Sequence, residues 1–271
     1  DLLGSNLDDD SISYAWPLLK DTLNKCNAFV SANFFEITPI KVPVDSFRSF
    51  TEASQRILMS ATIQNDAFFI KSFDFQIKTI QNPLTDSRQK WSGEKMILIP
   101  SLMHDELDRE NIIYNLLLKY NYHQGVVVLC PSFLIANQYL GPKATIPDGK
   151  TIRSEIKKFK ASVQDNKIDK MLVLTNRYDG IDLPDDYCRL LVIDSLPNAI
   201  YLEDIYEEQN REGSSITNIR IAQKIEQGLG RSVRGEKDYC VIILMADRLV
   251  DFIQNTKTER FFSRLSWVQI L

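Results

Sequence analysis

The sequence predicts an α/β fold, a parallel β-sheet with helices packed on both faces. Three observations carry this. Short apolar runs alternate with amphipathic helical patterns from residue 104 to residue 253, the order that builds βαβ units. The runs Val126–Cys130, Lys170–Leu174, Leu190–Asp194 and Tyr239–Met245 are apolar almost throughout instead of at every second position, as strands covered on both faces are. With 44% hydrophobic and 25% charged residues, the 271-residue chain has enough apolar material for one large or two small domains.

The elements follow in order. Asp1 to Ser13 is acidic, loosely patterned and begins without methionine, which fits a piece cut from a longer protein; it has no basic signal-peptide start. Trp16 to Asn24 predicts a short helix with Pro17 in its first turn. Ala28 to Val44, rich in Phe, Val and Ile and broken by Pro39 and Pro43, predicts short extended segments. Arg56 to Ser60 reads as a compact apolar strand running into Ala61 and Thr62, and residues 65–100 as a connection with one or two strands. His104 to Tyr120 predicts a helix, with Leu107, Ile112, Ile113, Leu116 and Leu117 on one side and acids in its first turn. Gly125 opens the strand Val126–Cys130. Phe133–Leu140 and Thr151–Ala161 predict two further helices, the latter with Ile152, Ile156 and Phe159 at helical spacing. Asn218–Gly228 and Asp247–Ile253 are helical on either side of the strand Tyr239–Met245.

Composition narrows the function. The formal net charge of -4 argues against a purely electrostatic nucleic-acid binder but allows a local basic groove. Cys26, Cys130, Cys188 and Cys240 form no C-x-x-C pair, and their wide spacing disfavours an iron–sulfur site. They read as small hydrophobes of a reduced protein, cytoplasmic or, in a eukaryote, nuclear. His104 and His123 are too isolated for a metal site, and none is expected. The longest apolar run, Val241 to Ala246, is too short to span a bilayer, so no membrane role is expected.

Three segments carry residues that packing alone does not ask for. Ser60-Ala61-Thr62 ends an apolar run with two hydroxyls; alone it is an ordinary capped strand end. Thr175 to Pro184 leads from a strand into a polar loop, with Asp179 and Asp182 flanking Gly180 and Ile181. Gly180 permits positive φ or close backbone approach, and Thr175 and Asn176 can donate to a phosphate. Gln227 to Gly235 follows a helix and sets Arg231 and Arg234 three apart after two glycines. Arginine offers a permanently charged planar fork suited to phosphate oxygens, although a salt bridge is the plainer use.

Order and spacing raise these segments above their individual weight. RILMSATI, VVVLCPSF, TNRYDGIDLP and QGLGRSVRG, in that order over residues 50–250, resemble motifs three to six of the superfamily 2 helicases. The D/E-G-I-D-x-P and Q-G-x-G-R-x-x-R forms and the tail KDYCVIILMADRL are most similar to the DNA helicases typified by XPD and DinG. The resemblance implies a RecA-like second helicase lobe of the P-loop NTPase type over residues 101–271. It also implies that residues 1–100 are a remnant of the first lobe and its insertion. Arg231 and Arg234 would face ATP phosphates, one or both as arginine finger, with Gln227 near the γ-phosphate or attacking water. Asp179, Gly180 and Asp182 would line the same nucleotide cleft. Ser60, Ala61 and Thr62 would couple nucleotide state to nucleic-acid position. Ser132, Thr175 and Asn176 would contact the backbone of the nucleic acid, expected to be single-stranded DNA.

The sequence departs from the family in one respect. It contains no G-x-x-x-x-G-K-[ST] loop and no D-E-x-[HD] stretch before Ser60. Residue 1 is therefore expected to fall after them, and ATP and Mg²⁺ to be held mainly by an N-terminal helicase lobe. The cysteine quartet that holds an iron–sulfur cluster in the XPD-like group would also lie upstream. Lys157, Lys158, Lys160, Lys167 and Lys170 read as a solvated basic face, and the acidic stretch Glu203 to Glu212 as solvent-facing. Two other readings compete with a DNA helicase. One is a non-catalytic RecA-like scaffold; the other is an RNA-directed or phage-defence motor of the same superfamily.

Overall fold

The computed structural model describes residues 10–59, 66–73, 75–82, 84, 93–119, 121–178, 180–211, 213–231, 233 and 238–270. They fall into two compact units, Asp1–Ser87 with Ala199–Glu212, and Arg88–Asn198 with Gly213–Leu271. Among the described residues no helix is long and apolar enough to cross a membrane.

In the first unit, β1 (Cys26–Val30) and β2 (Phe35–Pro39) form an antiparallel hairpin with Cys26 opposite Pro39. The helix Leu202–Asn210 joins it from far along the chain. The Glu36 carboxylate accepts the main-chain N–H groups of Leu202 at 2.8 Å and Glu203 at 3.4 Å, meeting the unpaired donors and positive end of the helix. The Phe29 and Tyr206 rings pack 5.6 Å apart. The acidic stretch of the sequence is thus largely this helix, none of whose residues is fully buried. Of the strand expected at Arg56–Ser60, Arg56–Met59 pairs with no strand among the described residues, and Ile57 and Met59 are 82% and 92% exposed. An apolar run becomes a strand only where a neighbouring backbone completes its ladder. Ser60, Ala61 and Thr62 lie outside the described residues.

The second unit is built on a six-stranded sheet in the order β3-β8-β7-β4-β6-β5. The strands are β3 (Glu94–Leu98), β4 (Val126–Cys130), β5 (Ala144–Thr145), β6 (Met171–Thr175), β7 (Leu190–Asp194) and β8 (Tyr239–Met245). Every pairing is parallel. All of β4, and β6 and β7 apart from one terminal residue each, are buried. Successive side chains go to opposite faces. Val127, Leu129, Leu172, Leu174, Leu191 and Ile193 pack with Phe159, Ile225 and Leu249. Val126, Val128, Val173 and Val192 pack on the other face with Ile113, Ala136 and Tyr139. Each such aliphatic side chain contributes roughly 1.5–3 kcal/mol when taken fully out of water. The helices on the first face are α3 (Ile152–Gln164), α4 (Ser215–Leu229), α5 (Asp247–Gln254) and α6 (Arg264–Ile270); those on the second are α1 (Arg109–Tyr114) and α2 (Phe133–Ala136). The predicted α/β class, a RecA-like parallel sheet with helices on both faces, is the fold observed.

Two boundaries differ from expectation. The strand Glu94–Leu98 lies before residue 101 yet pairs with β8, Glu94 opposite Tyr239, and residues 199–212 belong to the first unit. The helix expected from His104 begins only at Arg109. Asp108 caps it by accepting the Asn111 N–H at 2.8 Å, so the preceding acids and Leu107 stay outside. From Asn115 to Lys119 the helix continues in wider π turns.

The amino-terminal edge of this sheet is tied shut. Arg189, just before β7, donates to Asp186 at 3.0 Å, to Asp238 and to the Tyr239 carbonyl at 2.8 Å. Gly125 packs directly on the Tyr187 main chain, where a Cβ would meet the carbonyl oxygen at 2.0 Å. The carboxyl edge carries the polar loops.

Candidate functional site

The strand order reverses around β4: β6 lies on one side of it and β7, reached later in the chain, on the other. Ligands of parallel sheets sit beyond the carboxyl ends at such a point. Three of the sequence-predicted segments reach this edge through described residues: Ser132 after β4, Thr175, Asn176 and Gly180–Asp182 at and after β6, and Arg231 after α4.

The C-terminal half of α4 approaches the sheet closely because residue 228 is glycine. A Cβ there would lie 3.1 Å from Ile193 Cδ1, 3.2 Å from Tyr178 Cδ1 and 3.4 Å from Leu129 Cδ1. Two residues later the helix ends at Gly230, and Arg231 turns inward, only 5% exposed. Its Nε donates to the Tyr178 main-chain oxygen at 2.8 Å, and its Nη1 donates to that of Ile181. The loop wraps the guanidinium because Gly180 takes φ of 75°, which most side chains resist. Each carbonyl gains a charge-assisted hydrogen bond where water is excluded. The Tyr178 ring is buried under α4, and burial pushes its phenol well above the ordinary value.

Gln227 and Asp182 are exposed at the same edge. Asn176 adopts φ of 51°, and its N–H donates to the Cys130 carbonyl at 2.7 Å, lashing the loop after β6 to the end of β4. Ser132 caps α2 by accepting the Ile135 N–H at 3.4 Å. The buried Thr175 Oγ1 and Tyr178 hydroxyl have no hydrogen-bond partner among the described residues. Asp179 and Arg234 lie outside the described residues.

One cluster at this edge escaped sequence reading. Asp194, at the end of β7, is fully buried. It accepts Arg109 Nε–H on Oδ1 and Nη2–H on Oδ2, both at 2.7 Å. Tyr139 donates to it at 2.8 Å and Ser195 at 2.9 Å. Burial and the neighbouring carboxylate both push the Tyr139 phenol up, which keeps it a donor. The available signal was the aspartate ending an all-apolar strand, since a buried carboxylate demands partners; nothing in the pattern pointed to Arg109. On the other side of α4, Glu226 accepts the Ser263 N–H at 2.7 Å and so joins the helix to the start of α6.

Among the described residues no group of three or more His, Cys, Asp or Glu side chains is placed to hold a metal ion. The edge carries exposed polar side chains, Gln227 and Asp182 among them, beside a buried guanidinium engaged by main-chain oxygens.

Comparison with known proteins agrees with this geometry. A family model described as a helicase C-terminal domain matches residues 116–265. A curated relative, a probable ATP-dependent helicase of Methanocaldococcus jannaschii, is 29% identical over 111 residues, covering 35% of this chain and 17% of that protein. A solved XPD helicase structure superposes with a TM-score of 0.59 at 15% identity, covering 96% of this chain and 50% of its own. The chain thus spans half the length of that structure and a smaller part of the curated relative.

Proposed function

Because the chain belongs to the helicase C-terminal domain family, we propose that it serves as the second motor lobe of an ATP-dependent DNA helicase. In this reading the six-stranded unit, Arg88–Asn198 with Gly213–Leu271, contributes to an interlobe nucleotide site and to a track for a nucleic-acid backbone, and the part of the chain before it derives from the first lobe. ATP and Mg²⁺ are held mainly by that first lobe. Gly180, Asp182, Asp179 and Gln227 line the nucleotide side. Ser132, Thr175 and Asn176 touch the phosphodiester backbone. Ser60, Ala61 and Thr62 couple the two.

The observation that carries the reading is the bond pair from Arg231 to the carbonyls of Tyr178 and Ile181. It ties Arg231 to the loop after β6, which supports a route from that arginine to the strand end at Thr175. The same bonds support separate roles for the two arginines. Arg231 is buried and engaged by main-chain oxygens, so it is the positioning residue. Arg234 is the finger, meeting charge that develops on the transferring phosphoryl group.

The test is nucleic-acid-stimulated ATP hydrolysis by the whole protein. Arg234→Ala is expected to lower kcat on the order of 10³-fold or more, with little change in nucleotide affinity, because the charge it meets belongs to the transition state. Lysine rescues poorly, lacking the two-pronged fork. If both Arg234→Ala and Arg231→Ala leave kcat within a few-fold of the parent, neither arginine serves the reaction. A whole protein that hydrolyses no ATP under any nucleic acid returns the chain to the scaffold reading.

A further inference from the structure

Two loops leave the sheet side by side at the ends of β4 and β6. Thr175 stands opposite Cys130 in the parallel register, and the Asn176 N–H donates to the Cys130 carbonyl at 2.7 Å. Their backbones are therefore about one strand spacing apart, roughly 4.8 Å, where Phe133 and Arg177 follow. Phe133 is 48% exposed and its neighbour Leu134 77% exposed, while α2 buries Ala136 instead. Neither residue joins the core on either face of the sheet. Arg177 is exposed in the companion loop. The edge thus carries an exposed aromatic ring and an exposed guanidinium on neighbouring loops, and neither belongs to the core clusters of the described residues.

We propose that Phe133 is a stacking platform for an unpaired base and that Arg177 contacts the adjoining phosphate, making this edge selective for single-stranded over duplex nucleic acid. The proposal rests on the reading of the chain as a nucleic-acid-contacting helicase lobe. A ring can stack on any base, because every base has a π-face, but only when that face is not already covered by its neighbours. In a duplex both faces are occupied, and exposing one costs unstacking. The guanidinium supplies charge complementarity to the backbone without reading sequence.

The experiment is binding of fluorescent oligo-dT and of a duplex of equal length to the 271-residue chain, by anisotropy over a series of salt concentrations. Phe133→Ala is expected to weaken single-strand binding roughly 5- to 150-fold with an unchanged salt slope, since stacking releases no counterions. Phe133→Trp restores or improves it. Arg177→Gln lowers the slope by about 0.7, the value of one phosphate contact on a single strand. Duplex binding is unaffected by Phe133→Ala. The stacking proposal is overturned, with the helicase reading intact, if the parent binds oligo-dT and Phe133→Ala binds it equally well. It is also overturned if Phe133→Ala weakens single strand and duplex alike. Failure of the parent chain to bind either nucleic acid overturns the proposal, while the helicase reading is decided separately by nucleic-acid-stimulated ATP hydrolysis of the whole protein.

Discussion

The guanidinium of Arg231 donates through Nε to the main-chain oxygen of Tyr178, 2.8 Å away and 53 residues earlier in the chain. Together with the bond to Ile181, it makes an arginine from the segment after α4 the internal strut of a loop. Removing it leaves two carbonyls without their charged donor and a cavity beside them, the Tyr178 bond being buried and the Ile181 bond partly so. Arg231→Ala is therefore expected to destabilise the second unit by about 2–4 kcal/mol, and Arg231→Lys by less, since it recovers one bond but not the fork. Urea titration followed by far-UV circular dichroism measures both. A loss below about 0.5 kcal/mol for the alanine variant, the level of a neutral surface change, would mean the strut carries no stability.

Asp194 and Arg109 form the other ionic joint, 85 residues apart in sequence and closed at two points of 2.7 Å. Asp194→Asn keeps the shape but leaves a partly buried guanidinium without its counter-charge. It is expected to cost about 3–5 kcal/mol. A double replacement, Asp194→Leu with Arg109→Met, removes both charges and is expected to lose less than the sum of its single changes. Additive losses in a double-mutant cycle would rule out the coupling.

Gly125→Ala is expected to be among the most damaging single changes in the chain. Its Cβ would meet the Tyr187 carbonyl oxygen at 2.0 Å and the Asp186 oxygen at 2.7 Å. Backbone cannot swing aside as a side chain can, so the cost should reach about 3 kcal/mol or more. Gly149→Ala, with nothing within 4 Å of the added methyl, is the matched control. Equal melting temperatures for the two variants would refute the close approach.

Stability should fall on the alkaline side. Burial pushes the Cys130 thiol above its ordinary 9.0 and the Tyr178 phenol above its ordinary 10.0. Tyr139 moves the same way through burial and the nearby Asp194. A group whose pKa is raised by folding contributes fully below its unfolded value. That contribution is lost as pH rises, because the unfolded chain releases the proton first. Each such group removes up to about 1.4 kcal/mol per pH unit once the unfolded thiol or phenol ionises. Urea midpoints measured from about pH 8 to about pH 10.5 should therefore decline above 9.0, and Cys130→Ala should flatten the first part of the decline. A level profile across that range contradicts the burial of these groups.

Much of the site was legible because it is written locally. Gly180 announced a position suited to positive φ, and it takes φ of 75°; the close approach at Gly228 against Tyr178 and Ile193 emerged only from the packing. The role of Arg231 was only half legible. Its type and place after α4 pointed to phosphate, whereas its burial and its carbonyl partners depend on where the loop after β6 lies. Asp194 was visible as an aspartate closing an apolar strand, but its four hydrogen bonds come from Arg109, Tyr139 and Ser195 on three different elements.

What the sequence by itself determined is the α/β class and the identity of its central strands. Leu190–Asp194 and Tyr239–Met245 appear with the predicted limits, because an unbroken apolar run between polar turns has few other ways to leave water. The order of the motif-bearing loops likewise placed the chain in its helicase family. Tertiary structure alone decided that Glu94–Leu98 joins the sheet beside β8, that Glu36 caps a helix starting at Leu202, and that Arg56–Met59 forms no strand among the described residues. Periodicity reports which face of an element avoids water and is readable within a dozen residues. Which distant backbone or charge completes that element depends on the closure of long loops and on competition among many chemically equivalent partners, and that choice is made only when the chain packs.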